Sequence, residues 1–451
     1  MELSIQTLHF RSGTNLTEAV RNFSNYKHGG YLIMNKDVLK KIIIESQQRV
    51  FKLKFKYRKL NIDNNANYVF TGIRRAGKTY MLYQIIKDLL VNKKNINQIL
   101  YINFEDERLI GFYHSDFDLL LECYSELFGN KQPYCFFDEI QNIPAWEKFV
   151  RRLADTGYRC YITGSNAEIF SSQIATTLGG RFMIREVQPL SFKEFLDFNN
   201  VTLEKNYEYS EQKLKIKKLF DEYFRYGGFP EILKYKQKKE YLSTLYQKVF
   251  YSDIIARYNL QNNNLLKLLI KKTAESVNSE TSYNRIKNII KSTGIKAGTA
   301  TVAEYYGYMY EAFLIFGISN YTAKFSDRET KKKYYFADNG VLNLFLIDQD
   351  TKLLENIVFI ELKRRYGEDI FFFKRKYETD FFISEKKILI QVSNSISDYE
   401  TRKREINSLI SAMDELGINK AKILSYDEKE IIKIGINEIS VEPVWRWLLK
   451  K

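Results

Sequence analysis

Short, dense apolar runs separated by longer segments of helical spacing dominate the first half of the chain. Tyr68-Val69-Phe70, Ile99-Leu100-Tyr101-Ile102, Tyr134-Cys135-Phe136-Phe137 and Cys160-Tyr161-Ile162 are too short for amphipathic helices and too apolar for half-exposed strands. They predict central strands buried on both faces. Met81-Leu82-Tyr83-Gln84-Ile85-Ile86 opens a helix after the first run, and a second helix is expected over roughly 115–128. A last core strand, Phe182–Val187, follows Gly179-Gly180-Arg181. Strands alternating with helices predict an α/β core with a parallel sheet. Ahead of it, a helix is expected from about Lys36 to Arg58. Its later part, Arg49–Arg58, interleaves basic and aromatic residues. That part reads as a half-buried helix or strand with solvated lysines, with a phosphate-tracking element as the alternative.

The second half has a different rhythm. A short polar hinge near 199–212 leads to Tyr226-Gly227-Gly228-Phe229-Pro230, a turn whose glycines and proline punctuate a lid. Residues 240–330 read as nearly all helical until their end. Within them Ser282–Ile290, the turn Thr293-Gly294-Ile295-Lys296 and Thr299–Phe313 fit a helix-turn-helix. Lys291, Lys296, Thr299 and Thr301 are its candidates for phosphate contact, although Tyr305, Tyr306, Tyr308 and Tyr310 leave the second helix poor in basic residues. A helix over Leu353–Arg365, strands at Ile370–Arg375, Thr379–Ser384 and Ile388–Val392, a helix over Tyr399–Glu415 and a strand at Ala421–Tyr426 complete an αβββαβ pattern.

The chemistry concentrates after the first core strand, where Gly72-Ile73-Arg74-Arg75-Ala76-Gly77-Lys78-Thr79 fits G-x-x-x-x-G-K-[ST] between strand and helix. Gly72 and Gly77 permit turns that aim the N–H groups of Ile73 to Tyr80 at phosphates, and the helix adds its N-terminal dipole. Lys78 is placed for the β/γ-phosphates and the Thr79 hydroxyl for Mg²⁺. About sixty residues on, Asp138-Glu139 closes the Tyr134–Phe137 run. Asp138 is placed to hold Mg²⁺ through water, and Glu139 to polarise the attacking water as general base. Ser165 and Asn166, at the tip of the next strand, are both candidates to hold that water. Arg181 is a candidate arginine finger toward a neighbouring copy's γ-phosphate. ATP is expected over GTP, because no N-K-x-D base-reading motif follows the core.

These motifs form an ordered series with Asp138-Glu139-Ile140-Gln141-Asn142, Trp146-Glu147, Thr163-Gly164-Ser165, Gly180-Arg181, Pro189-Leu190-Ser191-Phe192 with Glu194-Phe195, and Tyr226-Gly227-Gly228-Phe229-Pro230-Glu231. The series resembles the prokaryotic AAA-type P-loop ATPases that carry a C-terminal DUF4143 domain, over roughly residues 66–400. The resemblance implies an N-terminal extension (1–60), an ATPase core (61–198), a helical lid (199–240), a helical and winged-helix domain (241–332) and a nuclease-like domain (333–451). The last is similar to the restriction-endonuclease-like fold, with Asp380 in place and Glu361 as the expected outer carboxylate. Its E-x-K positions read Gln391-Val392-Ser393, which removes charge needed for Mg²⁺ binding and water activation, so DNA cutting is not expected.

Composition adds boundaries to this picture. A chain of 451 residues is long enough for two to four domains. It has no apolar run of membrane-spanning length, and Met1-Glu2-Leu3-Ser4-Ile5 lacks a secretory layout. Cys123, Cys135 and Cys160 are isolated and lack metal spacing, as suits a reducing cytoplasm. The net charge of +15 suits an acidic partner such as duplex DNA. An unidentified protein is the other partner the sequence allows, and a homo-oligomer is open; the function expected is an ATP-hydrolysing switch, with an ATP-fixed DNA- or protein-binding module of negligible hydrolysis as the alternative and an ATP-gated nuclease as the weaker one.

Overall fold

The computed structural model describes residues 27–28, 31–32, 34–165, 172–347 and 349–450. The apolar runs assemble as one five-stranded parallel sheet in the order Ile99–Asn103, Tyr134–Asp138, Arg159–Gly164, Asn67–Thr71, Phe182–Glu186. Alternate residues of each run go to opposite faces. Tyr68, Phe70, Tyr101, Phe136 and Tyr161 join one apolar cluster, and Val69, Leu100, Ile102, Cys135, Phe137, Cys160 and Ile162 join another. Both faces are therefore core, which is why the runs carry no polar alternation. On the first face the rings stack, Phe136 on Tyr161 at 4.9 Å and Tyr68 on Tyr161 at 6.3 Å between centroids. The strand bearing Thr163, with Ser165 just past its end, lies between the phosphate-loop strand and the strand that ends at Asp138. That crossover brings all three C-terminal strand ends together beside the loop.

The N-terminal helix runs Lys36–Lys52, shorter than its sequence suggests. Asn35 caps it through Oδ1, which accepts from the Asp37 N–H at 2.8 Å, and Lys36 pairs with Glu122 and Glu126. From Leu53 the backbone is extended, so the basic-aromatic stretch is a strap and not a continuing helix. Its period-two alternation explains this, with Lys54 and Lys56 exposed while Leu53 and Phe55 are half-buried. The strap lies along helix Lys78–Val91. Arg58 N–H donates to Gln84 Oε1 at 3.0 Å, and Gln84 Nε2 donates back to Arg58 O at 2.9 Å.

Beyond the core, Gln212–Tyr226 and Lys238–Lys248 are helices, and the latter runs on as a π-helical turn over Val249–Ala256. Helices Asn263–Glu275, Tyr283–Ser292 and Thr299–Glu311 follow, and the last two form the expected helix-turn-helix. They pack with an antiparallel sheet in the order Thr281–Ser282, Lys331–Phe336, Ile315–Ile318. Tyr305 and Tyr306 face the core, with Tyr306 hydrogen-bonded to Thr273 at 2.6 Å, while Lys291 and Lys296 are exposed.

The C-terminal αβββαβ series forms as expected, with helices Asp350–Tyr366 and Tyr399–Leu416. Its sheet gains a hairpin, Glu430–Ile434 and Asn437–Pro443, that the sequence reading did not anticipate. The order is Phe371–Lys374, Glu378–Ile383, Ile388–Val392, Lys420–Ser425, Asn437–Pro443, Glu430–Ile434. Glu361 does not face Asp380. It pairs with Arg364 and Arg365, and Glu355, six residues or nearly two turns earlier, is the carboxylate on that side. Among the described residues, no helix is long and apolar enough to cross a membrane.

Candidate phosphate-binding site

Strand Asn67–Thr71 ends at Gly72, whose φ of +140° and proximity to the chain exclude a side chain. A Cβ there would lie 2.3 Å from Val187 O. The loop turns again at Arg75 (φ 66°) and Gly77 (φ 104°) before helix Lys78–Val91 begins. Ile73 and Ala76 are buried under it. Lys78 is buried too, and its ammonium donates to Gly72 O at 3.0 Å and Ile73 O at 3.2 Å, with Glu139 Oε1 at 4.0 Å. Burial pulls the Lys78 pKa below its ordinary value.

Asp138 and Glu139 stand opposite. Asp138 Oδ1 accepts from Thr163 Oγ1 at 2.5 Å and Oδ2 from Tyr101 OH at 2.8 Å, and Thr79 also bonds to this carboxyl. Burial and the adjacent Glu139 push its pKa up to about 6, against the pull of those three hydroxyls. Glu139 takes a left-handed backbone, φ 50°, and its N–H donates to Thr163 Oγ1 at 2.8 Å. Its Oε2 accepts from Gln141 Nε2 at 2.6 Å, and Ser165 bonds to the same carboxyl. Burial alone would raise the Glu139 pKa, but Lys78, Gln141, Arg74 and Ser165 together hold it below the usual value. Glu139 is thus an oriented anion and Asp138 a buried carboxylate short of positive charge. The Thr79 hydroxyl and the Asp138 carboxylate are hard oxygen donors, a set that fits Mg²⁺.

The loop is tied outward by three arginines. Arg74 grips buried Asp253 of the π-helical turn through Nε and Nη2 at 3.0 Å, and Glu105 through Nη1 at 3.0 Å. Arg75 pairs with Glu231. Arg58 of the strap donates to Ala76 O and Gln188 O at 3.0 Å and holds Glu194 with its remaining nitrogens at 2.9 and 3.0 Å. Beside Gly77 opens a largely apolar cavity of ≈ 300 Å³, lined among others by Phe55, Tyr80, Met81, Gln84, Phe198 and Leu233.

The structure therefore groups Gly72 to Tyr80 with Asp138, Glu139 and Ser165. It does not bring Arg181 into that group: Arg181 pairs with Asp155 and donates to Gly179 O on the surface. Asn166 lies outside the described residues. Sequence reasoning gave no role to Tyr101, Gln141, Thr163 or Asp253. The available signals were a phenol within an apolar run for Tyr101 and a lone carboxylate among Phe250, Tyr251, Ile254 and Ile255 for Asp253.

Residues 64–196 match the AAA domain family, and residues 217–352 match a domain of unknown function, DUF8612. An uncharacterized protein of Methanocaldococcus jannaschii is 35% identical over 434 residues, covering 93% of this chain and 96% of that protein. An uncharacterized protein of Haemophilus influenzae is 31% identical over 399 residues, covering 85% and 94%. The chain belongs to their family. It carries an AAA-type P-loop core, and the segment after the core is DUF8612 where the resemblance implied DUF4143. A solved Walker-type ATPase of Pyrococcus abyssi aligns with 70% of this chain and 96% of its own, at 14% identity and a TM-score of 0.37.

Proposed function

We propose that this chain binds ATP with Mg²⁺ and hydrolyses it as a conformational switch. The observation that carries the reading is the convergence of a glycine-turned loop, a buried lysine and an ordered Asp-Glu pair on one edge of a parallel sheet. The N–H groups of Ile73 to Tyr80 cradle the phosphates, and Lys78 exchanges its two carbonyl partners for β/γ-phosphate oxygens. Thr79 and Asp138 hold Mg²⁺, which when bound neutralises phosphate charge. Glu139 accepts the proton of the attacking water, steered by Gln141 and Ser165. The cavity beside Gly77 takes the base, against Tyr80 and Met81.

Arg181, exposed at a helix end, suits action on a neighbouring copy's nucleotide, which makes a homo-oligomer part of the reading. Residues 53–60 act as a strap that ends the N-terminal extension, 61–198 as core and 199–240 as lid. The helix–strand–helix–helix–strand order over 263–318, closed by a second strand at Lys331–Phe336 after a short helix at Phe325–Thr330, supports a winged helix within 241–332. The αβββαβ order supports a nuclease-like fold within 333–451. Exposed Lys291 and Lys296 favour a DNA-responsive switch, and a cytoplasmic site of action completes the proposal. The absence of basic residues from helix Thr299–Glu311 keeps a protein partner as the second reading.

The test is equilibrium binding of a fluorescent ATP analogue with Mg²⁺ to the native chain and to Lys78→Ala. Saturable binding lost in the variant supports the proposal, and binding indifferent to Lys78 overturns it.

A further inference from the structure

A polar cleft of ≈ 530 Å³ opens in the C-terminal part of the molecule, lined by residues of helices Asp350–Tyr366 and Tyr399–Leu416 and of strands Glu378–Ile383 and Ile388–Val392. Three of its carboxylates face a single point. Glu355 comes from the first helix, Glu378 and Asp380 from the first strand. The point is filled by an ammonium that arrives from another sheet, that of Lys333 on strand Lys331–Phe336. Its Nζ lies 2.8 Å from Glu378 Oε1, 3.1 Å from Asp380 Oδ1 and 3.5 Å from Glu355 Oε1, and the side chain is 0% exposed.

The surroundings hold this arrangement. Tyr335 OH donates to Glu355 at 2.7 Å, the Val392 N–H to Asp380 Oδ2 at 3.0 Å, and Lys374 pairs with the second oxygen of Glu378 at 3.0 Å. Gln391 accepts from the Asp380 N–H at 3.1 Å and donates to Glu405 at 2.6 Å. A lysine buried this completely is paired in folded proteins, and here the pairing is threefold.

Three carboxylates converging on one point are the oxygen donors a hard divalent cation takes. We propose that Lys333 is the resident cation of this cleft, a counter-ion supplied by the chain where a divalent metal would otherwise sit. While it is there, a metal reaching for the same oxygens meets the ammonium at contact distance and would have to expel a charge that, beyond these carboxylates, lies only over the Phe372 ring, 5.5 Å from its centroid, among the described contacts. The cleft is metal-independent by construction. Its cation also comes from the sheet of the preceding helical segment, so removing it unties two parts of the fold at once. None of this depends on nucleotide binding.

The experiment is calorimetric titration of CaCl₂ into the full chain without nucleotide. It compares the native protein, Asp380→Asn, Lys333→Met and the Lys333→Met/Asp380→Asn pair. The native protein is expected to show no saturable Ca²⁺ uptake that depends on Asp380. Lys333→Met is expected to gain one site, at least tenfold tighter than anything in the native chain and absent from the pair, with Ca²⁺ raising its melting temperature. Where Lys333→Met does not fold, Lys333→Met/Glu378→Gln, which carries one unpaired carboxylate fewer, is titrated with the same expectation. A native Ca²⁺ site abolished by Asp380→Asn overturns the proposal, as does a folded lysine-free variant that takes up no Ca²⁺.

Discussion

Replacing Arg58 by alanine tests how the N-terminal strap supports the phosphate loop. The guanidinium makes four hydrogen bonds of 2.9–3.0 Å: two to Glu194, one to Ala76 O within the loop and one to Gln188 O. The side chains of Arg58 and Glu194 are only 11% and 19% exposed. Truncation takes both charge-assisted hydrogen bonds from the Glu194 carboxylate, leaving it Ser191, through its N–H at 2.9 Å and its hydroxyl at 3.1 Å, and the more distant charge of Arg364. Removing one member of a buried pair costs about 3–5 kcal/mol. Because Ser191 still serves one oxygen, about 3 kcal/mol is the appropriate end of that range. At about 2–4 °C per kcal/mol, the core transition should fall by roughly 6–12 °C in scanning calorimetry of the full chain. Most of that cost is the orphaned carboxylate, so Arg58→Met/Glu194→Leu should recover about half of the loss. An Arg58→Ala protein melting within about 2 °C of native would refute the reasoning. So would a double variant no more stable than the single one.

Other consequences can be checked independently. Gly72→Ala forces a Cβ to 2.3 Å from Val187 O at a φ of +140°, and fluorescence polarisation should show nucleotide affinity weakened on the order of tenfold. Asp253→Asn removes one full charge from the bidentate hold on Arg74 and leaves a half-buried guanidinium with Glu105 as its one remaining described anion. A loss of about 2–3 kcal/mol is expected in denaturant melts, with Asp253→Glu intermediate. Mg²⁺-dependent nucleotide binding should fall as pH drops through about 6. The raised Asp138 pKa means the carboxyl takes up a proton there, and proton and metal compete for the same oxygens, so more Mg²⁺ should move the limb to lower pH. Glu139, held below its usual pKa, should not contribute to that limb.

The core was legible because its strands are buried on both faces. Runs such as Tyr134–Phe137 have one physical solution, a central strand, and the loop motif fixes which helix follows which strand. The site's first residues were legible for the same reason, since a phosphate loop is local in sequence. Its supports were not. Tyr101, Thr163 and Asp253 reach the site through strand order and a distant π-helical turn, relations that no local spacing encodes. The strap shows how local patterns compete. Helical spacing from Lys36 gives way at Leu53 to a period of two, and the change of period, not a breaker residue, ends the helix. The choice of Glu361 over Glu355 is an error of helix phase. Both are carboxylates of one helix, and which of them meets Asp380 depends on how helix Asp350–Tyr366 is rotated against the sheet, which its near-continuous burial hides from any amphipathic reading. Lys333 reaches the carboxylate cluster from a separate sheet and carried no signal at all.

Steady-state phosphate release from ATP, for the native chain beside Glu139→Gln, tests the central claim most directly. The account predicts Mg²⁺-dependent turnover that falls by about a hundredfold or more in the variant while nucleotide binding persists. Native protein that releases no phosphate, with or without duplex DNA, or a variant that turns over as fast as native, would contradict it.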